Sequence, residues 1–147
     1  MNNNKLKEGL RVDQRTEKRK TGDLGEGIAC KFLVKRGYEV VERNYLRKYG
    51  EIDIVGYKSG KYHFFEVKTV SCRTFDHLST DVIHETDQYR PEDNIHPWKL
   101  KRLSRVIQAY ILDKKLFDCD WQFGVITVYL NQQSRKARVC LIENIVL

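Results

Sequence analysis

Apolar positions along this chain recur with two different periods, and the switches between them predict a helix, three strands, a second helix and two strands. Between Thr21 and Gly37, Leu24, Ile28, Ala29, Phe32 and Leu33 fall at helical spacing and make one apolar stripe. Thr21 or Asp23 suits the N-cap of that helix, and Gly37 suits its C-terminal end. Gly25 and Gly27 lie inside it, where each glycine costs about 0.5–1 kcal/mol, so close approach of another backbone or a ligand is expected there. Tyr38 to Tyr45 reads as a strand. Glu51–Tyr57 and Tyr62–Thr69 read as a hairpin, reversed by the polar, glycine-containing stretch around Lys58-Ser59-Gly60. From Trp98 to Lys115, Leu103, Val106, Ile107, Tyr110 and Ile111 define a second amphipathic helix. Trp121–Leu130 and Arg135–Ile142 read as a last strand pair, turned by Asn131-Gln132-Gln133-Ser134. The order αβββαββ predicts an α/β fold in which helices flank a mixed β-sheet.

The segment from Ser71 to Pro97 keeps no period and is too long for an ordinary connection, which marks a functional loop or disorder. It is locally acidic. His77, His84 and His96 in it match no common metal spacing and read as solvated histidines.

Composition narrows the picture. At 147 residues and 17.4 kDa the chain fits one domain, long enough to bury a core without disulfides or zinc. Residues 1–20 are rich in Lys and Arg and poor in apolar side chains, so they read as a flexible basic arm ahead of a single domain at 21–147. A net charge of +7 and a pI near 9.2 favour a polyanionic partner. Cys30, Cys72, Cys119 and Cys140 form no C-x-x-C pair, and Cys30 and Cys140 sit in apolar surroundings that suit small core residues. The opening residues lack an apolar leader and no run is long enough to span a bilayer, so a cytoplasmic protein with free thiols and no membrane association is expected.

The chemistry concentrates in Gly50-Glu51-Ile52-Asp53 and Glu66-Val67-Lys68. Side chains alternate along a strand, so Glu66 and Lys68 face the same way, and Asp53 on the neighbouring strand can join them. Two carboxylates so placed can hold Mg²⁺ or Mn²⁺, and a lysine beside them can orient or deprotonate a water. Cross-strand ion pairing, worth a few tenths of a kcal/mol, is the plainer reading of the same residues. The apolar neighbours Ile52, Ile54, Val55, Phe64, Phe65 and Val67 make unpaired charge costly there, which favours the metal. Glu26 in the first helix is a further carboxylate, placed where a helix dipole also favours one. Lys99, Lys101, Arg102 and Arg105 lie largely outside the apolar stripe of the second helix; they suit either a solvated face or phosphate contacts.

These motifs extend through most of the chain: Gly22-x-x-Gly25-Glu26-x-x-Ala29, Phe32-Leu33, Gly37-Tyr38, Arg43-Asn44, Gly50-Glu51-Ile52-Asp53, Phe65-Glu66-Val67-Lys68-Thr69, and Lys99 opening the second helix. Together they resemble the YraN-like family of the restriction-endonuclease-like, or PD-(D/E)XK, superfamily, which is similar to archaeal Holliday-junction resolvases. The resemblance implies an endonuclease-like sheet with Asp53 and Glu66 as metal ligands, Lys68 beside the attacking water, Glu26 closing the site and Glu51 in support. Lys99, Lys101, Arg102 and Arg73 would face the nucleic acid. It implies a Mg²⁺- or Mn²⁺-dependent endonuclease hydrolysing phosphodiester bonds in DNA, in branched or structured DNA in particular, and a homodimer like its resolvase-like relatives. The alternative is a nucleic-acid-binding module without turnover, or one that needs a partner. Two positions depart from the family pattern: Val70 stands where an arginine is usual, with Arg73 close by, and Gln122-Phe123-Gly124 replaces Arg-Phe-Asp.

Overall fold

The computed structural model describes residues 15–73 and 96–147. The element order is α1 (Glu17–Lys35), β1 (Glu39–Arg47), β2 (Gly50–Lys58), β3 (Lys61–Ser71), α2 (Pro97–Asp113), β4 (Asp120–Asn131) and β5 (Lys136–Ile142). The expected αβββαββ order is therefore present. The strands form one mixed sheet in the order β1-β2-β3-β4-β5, with β3 and β4 parallel and the other neighbours antiparallel. A parallel pair needs a crossover, and α2 lies on it.

Each helix covers one face of the sheet. Ala29 and Leu33 of α1 pack with Tyr38, Ile54, Phe65, Ile126, Val128 and Leu130. Leu103, Val106, Ile107 and Tyr110 of α2 pack with Tyr45, Ile52, Val55, Phe64, Phe123 and Val125. Adjacent Phe64 and Phe65 thus serve opposite cores, as period-two alternation requires.

α1 starts four residues before the expected Thr21. Thr16 is its N-cap, its hydroxyl accepting the Arg19 N–H at 3.2 Å, so Glu17–Lys20 of the expected basic arm are helical. Residues 1–14 lie outside the described residues. The C-terminus matches expectation: Gly37 has φ +85°, its N–H donates to Val34 O, and the Tyr38 N–H donates to Leu33 O, which closes a Schellman motif. Two core expectations are corrected. Leu24 is 51% exposed, because the buried stripe of α1 runs through Gly25, Ala29 and Leu33 instead. Cys140 is exposed on the edge strand β5, and Cys30 is only half-buried.

The feature that shapes the site is a break in alternation. Ile52 and Val55 both face α2, while Ile54 between them faces α1. Strict alternation cannot do this, so β2 turns about its axis near Asp53. Across the ladder, Asn44 lies between the pairs Arg43↔Ile54 and Tyr45↔Ile52 and has φ 51°. Asn is among the few non-glycine residues that adopt this left-handed region readily. On its other side β2 pairs with β3 from Lys58↔Lys61 to Ile54↔Phe65 and no further. β3 continues, paired with β4, to Ser71↔Leu130. The sheet therefore opens between β2 and β3 immediately beyond Ile54 and Phe65.

Most of the expected loop, including His77 and His84, lies outside the described residues. His96 immediately precedes α2, with Pro97 in the first turn, where a missing N–H costs nothing.

Candidate active site

Asp53 stands at the opening. Its Oδ2 accepts the backbone N–H of Val67 at 2.7 Å, so the carboxylate takes a β3 donor that the departing β2 backbone leaves. Burial raises the Asp53 carboxyl, the charge of Glu66 raises it further, and the Val67 N–H pulls it back; Glu26 and Glu51 add smaller upward pushes. The balance lies at about 8. A carboxyl held that high near neutral pH is a desolvated group facing a like charge, a pattern that marks candidate functional sites.

Glu66 is 8% exposed on the α2 face of β3. Its Oε1 accepts a hydrogen bond from Lys99 Nζ, which reaches it from the first turn of α2. Lys68, two residues along β3 and half-buried, is lowered from its ordinary lysine value by burial and by the Lys99 ammonium, against the pull of Glu66. Asp53, Glu66, Lys68 and Lys99 thus form one electrostatic cluster at the opened edge of β3.

α1 closes the other side. Glu26 accepts a hydrogen bond from Asn44 Nδ2 at 2.9 Å and lies 3.9 Å from Arg43. The left-handed residue of β1 therefore also holds the helix carboxylate. Gly25 lets the helix come this close. A Cβ on it would fall on the Thr69 hydroxyl and lie 2.9 Å from Thr69 Cβ. Gly27 has nothing comparable near it, and nothing in the structure explains it. Lys18, Thr21, Gly22, Glu26, Val67, Thr69 and Ser71 line a groove of about 350 Å³.

The remaining expected residues scatter around this centre. Lys99 points inward at Glu66, although it was expected to face nucleic acid. Lys101 and Arg102 are exposed on α2, and Arg102 Nε donates to Tyr49 O at 2.9 Å. Arg73 is exposed just past β3, its carbonyl accepting from Asn131 Nδ2 at 2.8 Å. Glu51 is exposed, but within electrostatic reach of Asp53. Sequence reasoning assigned no site role to Asn44 or Lys18. A polar, strand-averse Asn inside a β pattern was the available signal for the first.

The donor set can be matched to an ion. Among the described residues, no three His, Cys, Asp or Glu side chains come together as a group that could hold a metal ion. Two hard carboxylates with an adjoining lysine suit Mg²⁺ or Mn²⁺; Mg²⁺ commonly takes one or two protein carboxylates and keeps several waters. The raised Asp53 carboxyl is what such a cation would relieve.

The fold and this cluster define a small α/β protein built around paired carboxylates at an opened sheet. The model of the family described as "Uncharacterised protein family UPF0102" matches residues 25–128, and the chain belongs to that family, the YraN-like family of the motifs above. A UPF0102 protein of Caldicellulosiruptor saccharolyticus is 32% identical over 127 residues, covering 86% of this chain and 97% of the relative. One from Alkaliphilus metalliredigens is 34% identical over 114 residues (78% and 89%), and one from Campylobacter fetus is 36% identical over 111 residues (76% and 85%). Among the described residues no helix is long and apolar enough to cross a membrane.

Proposed function

We propose that this protein is a divalent-metal-dependent endonuclease of the PD-(D/E)XK type that hydrolyses DNA phosphodiester bonds, in branched or structured DNA in particular. The observation that carries the reading is the Asp53 carboxylate. It is half-buried against the Val67 N–H, faces the charge of Glu66 and is raised to about 8. Asp53 and Glu66 would hold Mg²⁺ or Mn²⁺. When bound, the ion supplies an acidified water and neutralises charge on the phosphate. Lys68, on the same face of β3 as Glu66, would orient the attacking water. Lys99 neutralises Glu66 before loading. Glu26, fixed by Asn44, closes the site from α1. Lys101, Arg102 and Arg73, all exposed, contact phosphates and set register without reading bases.

One observation favours a binding module instead: Lys99 supplies Glu66 with a counter-charge from within the chain. A time course on linear, flap and four-way-junction DNA, with and without Mg²⁺ or Mn²⁺, separates the two. The nuclease reading expects metal-dependent cleavage by wild type and none by Asp53→Ala. Equal cleavage by both proteins overturns it. Binding without cleavage on any substrate selects the module.

A further inference from the structure

The rim of the site on the α2 side carries exposed aromatic rings that neither core uses. Trp98 is 56% exposed and Tyr49 38% exposed. Trp98 and Lys99 both leave the first turn of α2, Lys99 with its ammonium on Glu66. One turn along α2, the Arg102 guanidinium lies 5.7 Å from the Trp98 ring, while its Nε bonds the Tyr49 carbonyl. That bond ties the start of α2 to the turn between β1 and β2. There Lys48 Nζ lies 4.9 Å from the Tyr49 ring. Two exposed rings, each with its own cation, therefore lie together at the end of α2 from which Lys99 reaches Glu66.

We propose that Trp98, Arg102, Tyr49 and Lys48 form a stacking platform for unpaired nucleobases, so that the site receives a single-stranded segment of its nucleic acid. The inference rests on the nucleic-acid reading above and names its substrate class. In a duplex the base faces are stacked on one another, and cations alone suffice to track the backbone. Exposed rings contribute only when bases are free to stack on them. The adjoining cations suit the phosphates of the same strand, and a guanidinium plane is itself a stacking surface.

The test reads binding, apart from catalysis. In a Trp121→Phe background Trp98 is the sole tryptophan. In EDTA, short oligo(dT) or oligo(rU) should quench its fluorescence, while a blunt duplex of equal phosphate count should quench it far less. Trp98→Ala should weaken single-strand affinity about fivefold or more, and Trp98→Phe, which can still stack, should restore most of it. Trp98 is largely exposed, so both variants should fold. Equal quenching by duplex and single strands, or unchanged single-strand affinity in Trp98→Ala, overturns the platform. Quenching with Trp98-dependent affinity but no Asp53-dependent cleavage leaves the platform standing and removes only the hydrolytic reading.

Discussion

Asp53 accepts the Val67 backbone N–H at 2.7 Å across the point where β2 leaves β3. This relationship serves structure and chemistry together. It satisfies a donor that the ended ladder leaves over, and it holds a carboxylate in the field of Glu66.

The first prediction concerns pH. The folded Asp53 carboxyl is raised from 3.8 to about 8, so the folded state binds the extra proton. The stability linked to that proton is full below about pH 4 and is lost as pH rises through about 8. In EDTA, the wild-type Tm should therefore fall relative to that of Asp53→Asn across this window, because Asn can still accept the Val67 N–H but does not titrate. Added Mg²⁺ should reduce the difference at the alkaline end. Parallel Tm–pH curves for the two proteins would contradict the raised carboxyl.

Lys99 pairs with Glu66 and would compete with a cation for it. Lys99→Gln should destabilise the metal-free protein by about 1–3 kcal/mol in urea unfolding, since Glu66 loses a charged partner. The same variant should bind Mn²⁺ several-fold more tightly in calorimetry. Unchanged or weaker Mn²⁺ binding would show that Lys99 and the ion do not share Glu66.

Gly25→Ala places a methyl against Thr69, 2.9 Å from its Cβ. Separation of α1 from β3 should cost about 1–3 kcal/mol in urea unfolding. Thr69→Ala should rescue this only in part, because its Cβ remains. Gly27→Ala, at an open position, should be neutral or slightly stabilising. Equal effects at the two glycines would remove the close-packing account.

The elements and their order were legible because apolar period identifies helix and strand directly. Gly37 as the end of α1 was legible because a Schellman motif needs a left-handed residue. Asp53, Glu66 and Lys68 were readable as neighbours from alternation and a hairpin. The opening of the sheet was not. Alternation predicts faces only while a ladder continues, and the turn of β2 at Asp53 lies opposite the left-handed Asn44 of another strand. The inward aim of Lys99 was hidden for a related reason: polar positions on a helix read as solvated until the facing strand is known. The early start of α1 rests on one cap, Thr16, inside a stretch whose composition resembles a tail.

The central claim is that Asp53 and Glu66 share one divalent cation, and titration calorimetry with Mn²⁺ tests it most directly. Wild type should bind a single ion, with protons released near pH 7 as the raised Asp53 carboxyl ionises. Asp53→Ala and Glu66→Gln should each abolish that heat while keeping the wild-type circular dichroism spectrum. Wild-type-like Mn²⁺ binding in either folded variant, or no binding by wild type, would contradict the account.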